Sequence, residues 1–151
     1  MIDVSDLKSI IMLTYLKDSM LEKLAKVTLI REYSAGDTIF REGEDATHLY
    51  SVIEGKVGLE VMKNPSTPVM INTICENRTF GFSAVIETEE KKYITTAKAY
   101  MRTKLFAWKA EDLEALFQKD CEMGFLFMQR IAKIIKTRLQ IRTIQYLDIY
   151  G

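Results

Sequence analysis

Tyr33-Ser34-Ala35-Gly36-Asp37-Thr38-Ile39-Phe40-Arg41-Glu42-Gly43-Glu44 is followed, after Asp45-Ala46-Thr47, by His48-Leu49-Tyr50-Ser51-Val52-Ile53-Glu54-Gly55-Lys56-Val57. Short runs rich in Val, Ile, Thr, Tyr and Phe alternate here with Gly36-Asp37, Glu42-Gly43 and Glu54-Gly55, which is the pattern of strands separated by tight turns. Gly36, Gly43 and Gly55 are read as turn residues that need positive φ. Just downstream, Val57, Leu59 and Val61 share one face of a strand and Lys56, Gly58 and Glu60 the other. The β-rich pattern extends over residues 27–109, with a further turn at Asn64-Pro65-Ser66-Thr67-Pro68. No long helical pattern separates these strands, so they predict an antiparallel roll or sandwich rather than a parallel sheet.

Helical periodicity flanks this middle on both sides. Residues 4–26 carry Leu7, Ile10, Ile11, Leu13, Leu16, Leu21, Leu24 and Ala25 at helical spacing, broken near Lys17-Asp18-Ser19, where a cap is expected. Two short helices are predicted there. From Ala110, Asp112, Leu113, Leu116 and Phe117 open another helix, and after Lys119-Asp120 a long one fills the rest of 110–150. Its polar stripe is Gln129, Lys133, Lys136, Gln140 and Thr143; Met128, Ile131, Ala132, Ile134, Ile135, Leu139 and Ile141 form an apolar arc wider than one packing face. That width predicts a homodimer through Met128, Ile131, Ile135 and Leu139, with Ile141 to Leu147 extending the seam.

Composition narrows the function. The 151 residues fit one domain, and 21 basic against 21 acidic residues leave no bulk charge to attract a polyanion. The one local asymmetry is Arg130, Lys133, Lys136, Arg138 and Arg142, with no acid between Glu122 and Asp148. It reads as a solvated stripe or as a surface for an acidic partner. Met1 to Asp6 carries acids where a signal peptide carries basic residues, and no apolar run reaches the ~18 residues of a membrane span, so a cytoplasmic protein is expected. Cys75 and Cys121 are expected to be reduced and mostly buried. The single histidine, His48, lacks the partners of a metal site or a hydrolase, and no phosphate-loop, dinucleotide, nucleophile-elbow or zinc-protease motif occurs. Neither a catalytic residue nor a metal is expected, and the chain is not read as an enzyme.

The order of elements and the opening segment resemble a cyclic-nucleotide-binding domain, with the similarity continuing through Phe80-Gly81-Phe82-Ser83-Ala84-Val85, Thr96-Ala97-Lys98-Ala99, Arg130-Ile131-Ala132 and Thr137-Arg138-Leu139. The resemblance spans about Leu16 to Leu139 and implies an eight-stranded β-roll, jelly-roll-like, with helices at both ends. In that family a Gly-Glu pair opens a one-turn helix in a phosphate-binding cassette, the Glu accepts from the ribose 2′-hydroxyl, and an Arg on the next strand meets the cyclic phosphate. Here the pair is Gly81-Phe82, and the Arg column falls on Lys92 or Tyr93, depending on how the gap after Glu87-Thr88-Glu89-Glu90 is placed. Losing the carboxylate contact is worth roughly 1.5–3 kcal/mol.

The cassette also resembles a branch of the family that reads Gly-aromatic-Ser-Ala. Phe80, Gly81, Phe82, Ser83, Ala84, Lys92, Tyr93 and Thr95 are the candidate ligand residues, with the amides of Ser83 and Ala84 as an anion nest. The ligand class implied is a cyclic nucleotide, cAMP or cGMP, or another phosphate-bearing anion; no other cofactor is implied. Two readings follow: a stand-alone sensor that signals to a separate downstream protein through the last helix, or a ligand-independent docking module whose pocket Phe82 and Tyr93 fill. In transcriptional relatives a DNA-binding domain follows the last helix. With the sequence at hand ending at Gly151, direct DNA binding is not expected.

Overall fold

Asp3 starts the first helix, because its carboxylate accepts the Asp6 amide at 3.1 Å while its own amide donates to Asp6 Oδ2 at 2.9 Å. A computed structural model describes residues 2–86 and 89–150; Met1, Glu87, Thr88 and Gly151 lie outside them. Helix α1 is Val4–Leu7, a 3-10 helix follows at Ile11–Leu13, and α2 is Asp18–Lys26. The N-terminal segment thus holds a third short helical turn beyond the two predicted. Nor does a side chain of Lys17-Asp18-Ser19 cap α2: the position before the helix is Lys17, whose carbonyl accepts from the Met20 and Leu21 amides at 2.9 and 3.0 Å.

Among the described residues, eight antiparallel strands follow in two four-stranded sheets. They are β1 (Thr28–Tyr33), β2 (Thr38–Phe40), β3 (His48–Glu54), β4 (Val57–Asn64), β5 (Thr67–Ile74), β6 (Thr79–Phe80), β7 (Thr96–Ala99) and β8 (Thr103–Lys109). One sheet runs β1-β8-β3-β6 and the other β2-β7-β4-β5, so neighbours in space are often distant in sequence. This is the predicted antiparallel β-roll with flanking helices. The three turn glycines named above have φ of 90°, 87° and 97°. Gly58, on the strand face of Lys56 and Glu60, is nevertheless covered. It is buried because the Tyr100 ring lies across it and leaves no room for a Cβ.

Helix α3 (Ala110–Lys119) leads into α4 (Cys121–Tyr150), which starts where Asp120 Oδ1 accepts the Met123 amide at 3.0 Å. The sheet β1-β8-β3-β6 separates two cores. On its outer side, Leu49, Phe106 and Trp108 pack with Leu7, Leu24, Phe127 and Ile131 of the helices. Inside the roll, Tyr50, Phe80, Tyr93 and Leu105 pack with Phe40 and Val57. A short polar chain ties the layers: buried Trp108 Nε1 donates to Thr28 Oγ1 at 2.7 Å, and that hydroxyl donates to the Leu24 carbonyl at 2.7 Å.

Two expectations about exposure are corrected. Cys75 and Cys121 are both free and exposed, because one lies just past the end of β5 and the other in the first turn of α4. Ile131, assigned to a dimer seam, is wholly buried in the helical core and faces its own domain. Among the described residues, no helix is long and apolar enough to cross a membrane. Ile131→Ala should lower the unfolding free energy by about 2–5 kcal/mol in urea titration. On the same helix, Gln140→Ala, at an exposed position, should change it by less than about 0.5 kcal/mol.

Candidate functional site

Strand β6 pairs with Tyr50 and Ser51 of β3 and delivers the chain to Gly81, whose φ of 87° turns it into a 3-10 helix at Phe82–Ala84. Glycine is required there twice over, since the backbone is left-handed and an added Cβ would stand 3.2 Å from the His48 carbonyl oxygen. The turn closes on itself. The Ala84 amide donates to the Gly81 carbonyl at 3.2 Å, and the Val85 and Ile86 amides donate to Phe82 at 3.0 and 2.9 Å. The expectation that Ala84 offers a free amide to an anion is therefore corrected: that N–H is spent on the turn, and Ala84 is fully buried.

The segment before β7, where Lys92 bridges to Asp45, decides which residue points inward. Lys92 is exposed and its Nζ pairs with Asp45 Oδ1 at 3.1 Å. Tyr93 is buried, stacked on Phe40 with ring centroids 3.7 Å apart and 9° between planes. Its hydroxyl donates to the His48 carbonyl at 2.6 Å and accepts the His48 amide at 3.1 Å, and burial pushes its pKa up. Tyr93, not Phe82, thus takes up space inside the roll. Phe82 turns the other way, toward the helical core.

Between this turn and α4 lies a cleft of about 790 Å³. Phe82, Ser83, Lys92, Tyr93 and Thr95 line it, five of the eight candidate residues. Phe80, Gly81 and Ala84 do not: Phe80 is fully buried against Tyr50, and the three shape the turn from beneath. The gap position at Glu87 and Thr88 lies outside the described residues. Helix α4 contributes Ile135, Arg138, Leu139 and Arg142 to the same wall.

Arg138 was not among the candidate ligand residues. Its Nη2 donates to the Thr79 carbonyl at 2.8 Å, its guanidinium carbon stands 5.2 Å from the centre of the Phe82 ring, and burial with nearby Arg78 lowers its pKa. A signal for it exists in the sequence. Phe127, Ile131, Ile134 and Arg138 recur at spacings of four, three and four, so one cation sits on the packed face of the helix. The basic stripe is also less uniform than composition suggests, because Arg130 covers the Tyr15 ring at 3.0 Å while Lys133 and Lys136 are exposed.

The family model of the cyclic nucleotide-binding domain matches residues 30–120, from β1 through the cassette to the end of α3. The chain belongs to the cyclic nucleotide-binding domain family. It is 22% identical over 121 residues to the global nitrogen regulator of Synechococcus elongatus, covering 80% of this chain and 54% of that protein. It is 25% identical over 140 residues to the cAMP-activated global transcriptional regulator CRP of Haemophilus influenzae, covering 89% and 60%. The chain thus spans little more than half the length of these curated relatives, both named as regulators. A solved cyclic nucleotide-binding domain from Methylobacillus flagellatus has the same fold at a TM-score of 0.84, with 12% identity, covering 96% of this chain and 84% of that one.

Within this cyclic nucleotide-binding domain, His48 joins the cassette to β1. Arg31 Nη2 lies 3.3 Å from Nε2, and since arginine only donates, Nε2 accepts and Nδ1–H donates to Thr47 Oγ1 at 2.8 Å. Burial first, then Arg31 and Lys109, lower the His48 pKa against a smaller raising effect of Asp112. The unfolded chain takes up this proton near pH ~6.5, where the folded chain still refuses it. Stability is therefore full above that value and falls as pH drops through the lowered folded pKa. Thermal unfolding of the wild type should weaken between about pH 7.5 and about pH 5.5, and His48→Gln should flatten that slope.

Proposed function

We propose that this chain is a regulatory sensor module that binds a small anion, a cyclic nucleotide or another phosphate-bearing molecule, and signals through α4 to a separate protein, in the cytoplasm. The observation that carries this reading is the open cleft, one volume bounded by the cassette residues Phe82 and Ser83 and by Ile135, Arg138, Leu139 and Arg142 of α4. Its size falls in the range of small-molecule sites. A ligand there touches the recognition turn and the output helix together. If it binds more tightly with α4 in one position than in another, it shifts the population of helix positions, and that difference in affinity is the signal. The Arg138 bond to Thr79 is the direct tie between helix and cassette that such a shift alters.

Dimerisation through α4 belongs to the same proposal, with a revised seam. Phe125, Met128, Ala132, Ile135 and Leu139 are all exposed and follow the three-four spacing of a coiled-coil stripe. Phe125 and Ala132 take the place of buried Ile131. A second reading, a docking module without ligand, is favoured by one observation: Tyr93, stacked on Phe40 and locked to the His48 backbone, occupies the roll interior where an inward-reaching cation would lie.

Ligand at 100 times its dissociation constant adds ~2.7 kcal/mol, a rise of several degrees in melting temperature. Thermal unfolding with millimolar cAMP, cGMP, cyclic dinucleotides, nucleoside phosphates and inorganic phosphate should give such a rise with at least one organic anion, while no rise with any of them would make the docking module the better reading. Ala132→Asp should convert dimers to folded monomers in sedimentation; a variant that stays dimeric would refute the seam.

A further inference from the structure

The charges around the cleft are unequally provided for. Glu42 Oε1 accepts the Met62 amide at 3.2 Å, and Lys92 is engaged by Asp45 at 3.1 Å. Among the described residues, Arg138 has no carboxylate partner. Its contacts among them are one carbonyl and one aromatic ring, and the nearest charge that acts on it is another cation, Arg78. A guanidinium has five donor hydrogens, and only one here meets an acceptor. A half-buried cation beside a like charge is a standing demand for an anion. One turn further along α4, Arg142 faces the same cleft, with Nη1 on Gln145 Oε1 at 3.2 Å.

Among the cassette side chains none brings an uncommitted positive charge to an acid group, and Ser83 and Thr95 bring only neutral hydroxyls. Phe82 is apolar, the Tyr93 hydroxyl is held at both its donor and acceptor sides by His48, and the Lys92 ammonium lies on Asp45. The wall also carries the apolar side chains of Leu59, Ile71, Ile86, Ile94, Ile135 and Leu139, beside Asn72, Ser83 and Thr95 and the carboxylates of Glu42 and Glu90. Two of the apolar residues sit open at the rim, Ile94 at 76% and Leu139 at 64% exposure. An apolar rim around a cleft with two cations on one wall is complementary to a molecule that has an apolar body and one acidic end.

We infer that the cleft binds an amphipathic oxyanion, an apolar ring or chain bearing one carboxylate or phosphate group, with the acid group on Arg138, supported by Arg142, and the body against Leu59, Ile94 and Ile135. This deepens the sensor reading and rests on it, moving the anion contact from the cassette to the output helix. Arginine's planar fork suits both oxyanions, so the acid group is the shared chemistry and the probes separate its forms.

The test is isothermal titration of the full chain with 1-naphthyl phosphate, 1-naphthoate, inorganic phosphate and cAMP. At least one naphthyl acid should bind, with inorganic phosphate much weaker, and Arg138→Gln should weaken that binding about 10- to 100-fold while Arg138→Lys recovers part of it. Because Arg138 also holds Thr79, Ile94→Glu provides an independent variant at an exposed position; its carboxylate at the mouth should weaken the same ligand about tenfold. Binding of cAMP unaffected by Arg138→Gln, with neither naphthyl acid bound, would overturn this inference and leave the sensor reading standing. No binding by any probe would overturn both.

Discussion

Leu105-Phe106-Ala107-Trp108 is a strand segment buried on both faces, and the rest of the domain is arranged around it. Leu105 and Ala107 point into the roll; Phe106 and Trp108 point into the helical layer. Because β8 pairs with β1 on one side and β3 on the other, this one strand is the shared wall of two cores. Each core is close-packed, so a displacement in one is not absorbed locally and presses on the other. The roll that carries the cassette turn and the first turns of α4, packed on the far side of β8, are thereby parts of one mechanical unit.

The cassette turn shows how a scaffold is held independently of the side chains it presents. The glycine turn, the aromatic block of Phe40, Tyr50, Phe80 and Tyr93, and the pairing of β6 with β3 form a backbone frame that does not depend on the identity of residue 82. With Phe82 rotated toward the helices, the frame presents Ser83 and an apolar floor to the cleft. Arginine comes to this space from α4, a helix distant in sequence and adjacent in space.

The alternation of β-rich runs with glycine turns and the helical periods at both ends were readable in the sequence, because each is set by local backbone preference and side-chain period, whereas the cassette turn was legible only through the family resemblance. What was not readable depends on tertiary approach. Lys92 and Tyr93 are adjacent, and only the register against Asp45 and Phe40 decides which one enters the roll. The Ala84 amide looked available because the sequence does not show that a 3-10 turn consumes it. Ile131 looked like a seam residue because a wide apolar arc does not say which part faces its own domain. Arg138 was the most informative omission. A lone cation on the Phe127, Ile131, Ile134 face was visible, but its bond to Thr79 spans 59 positions.

Gly81 has a consequence for how such a domain diversifies. A left-handed backbone within 3.2 Å of a carbonyl oxygen ties that position to one residue type, whereas positions 82 and 93 are bound by no such backbone rule. Shape and surface chemistry are therefore under separate control: side chains at positions 82 and 93 can be exchanged while the turn that carries them stays.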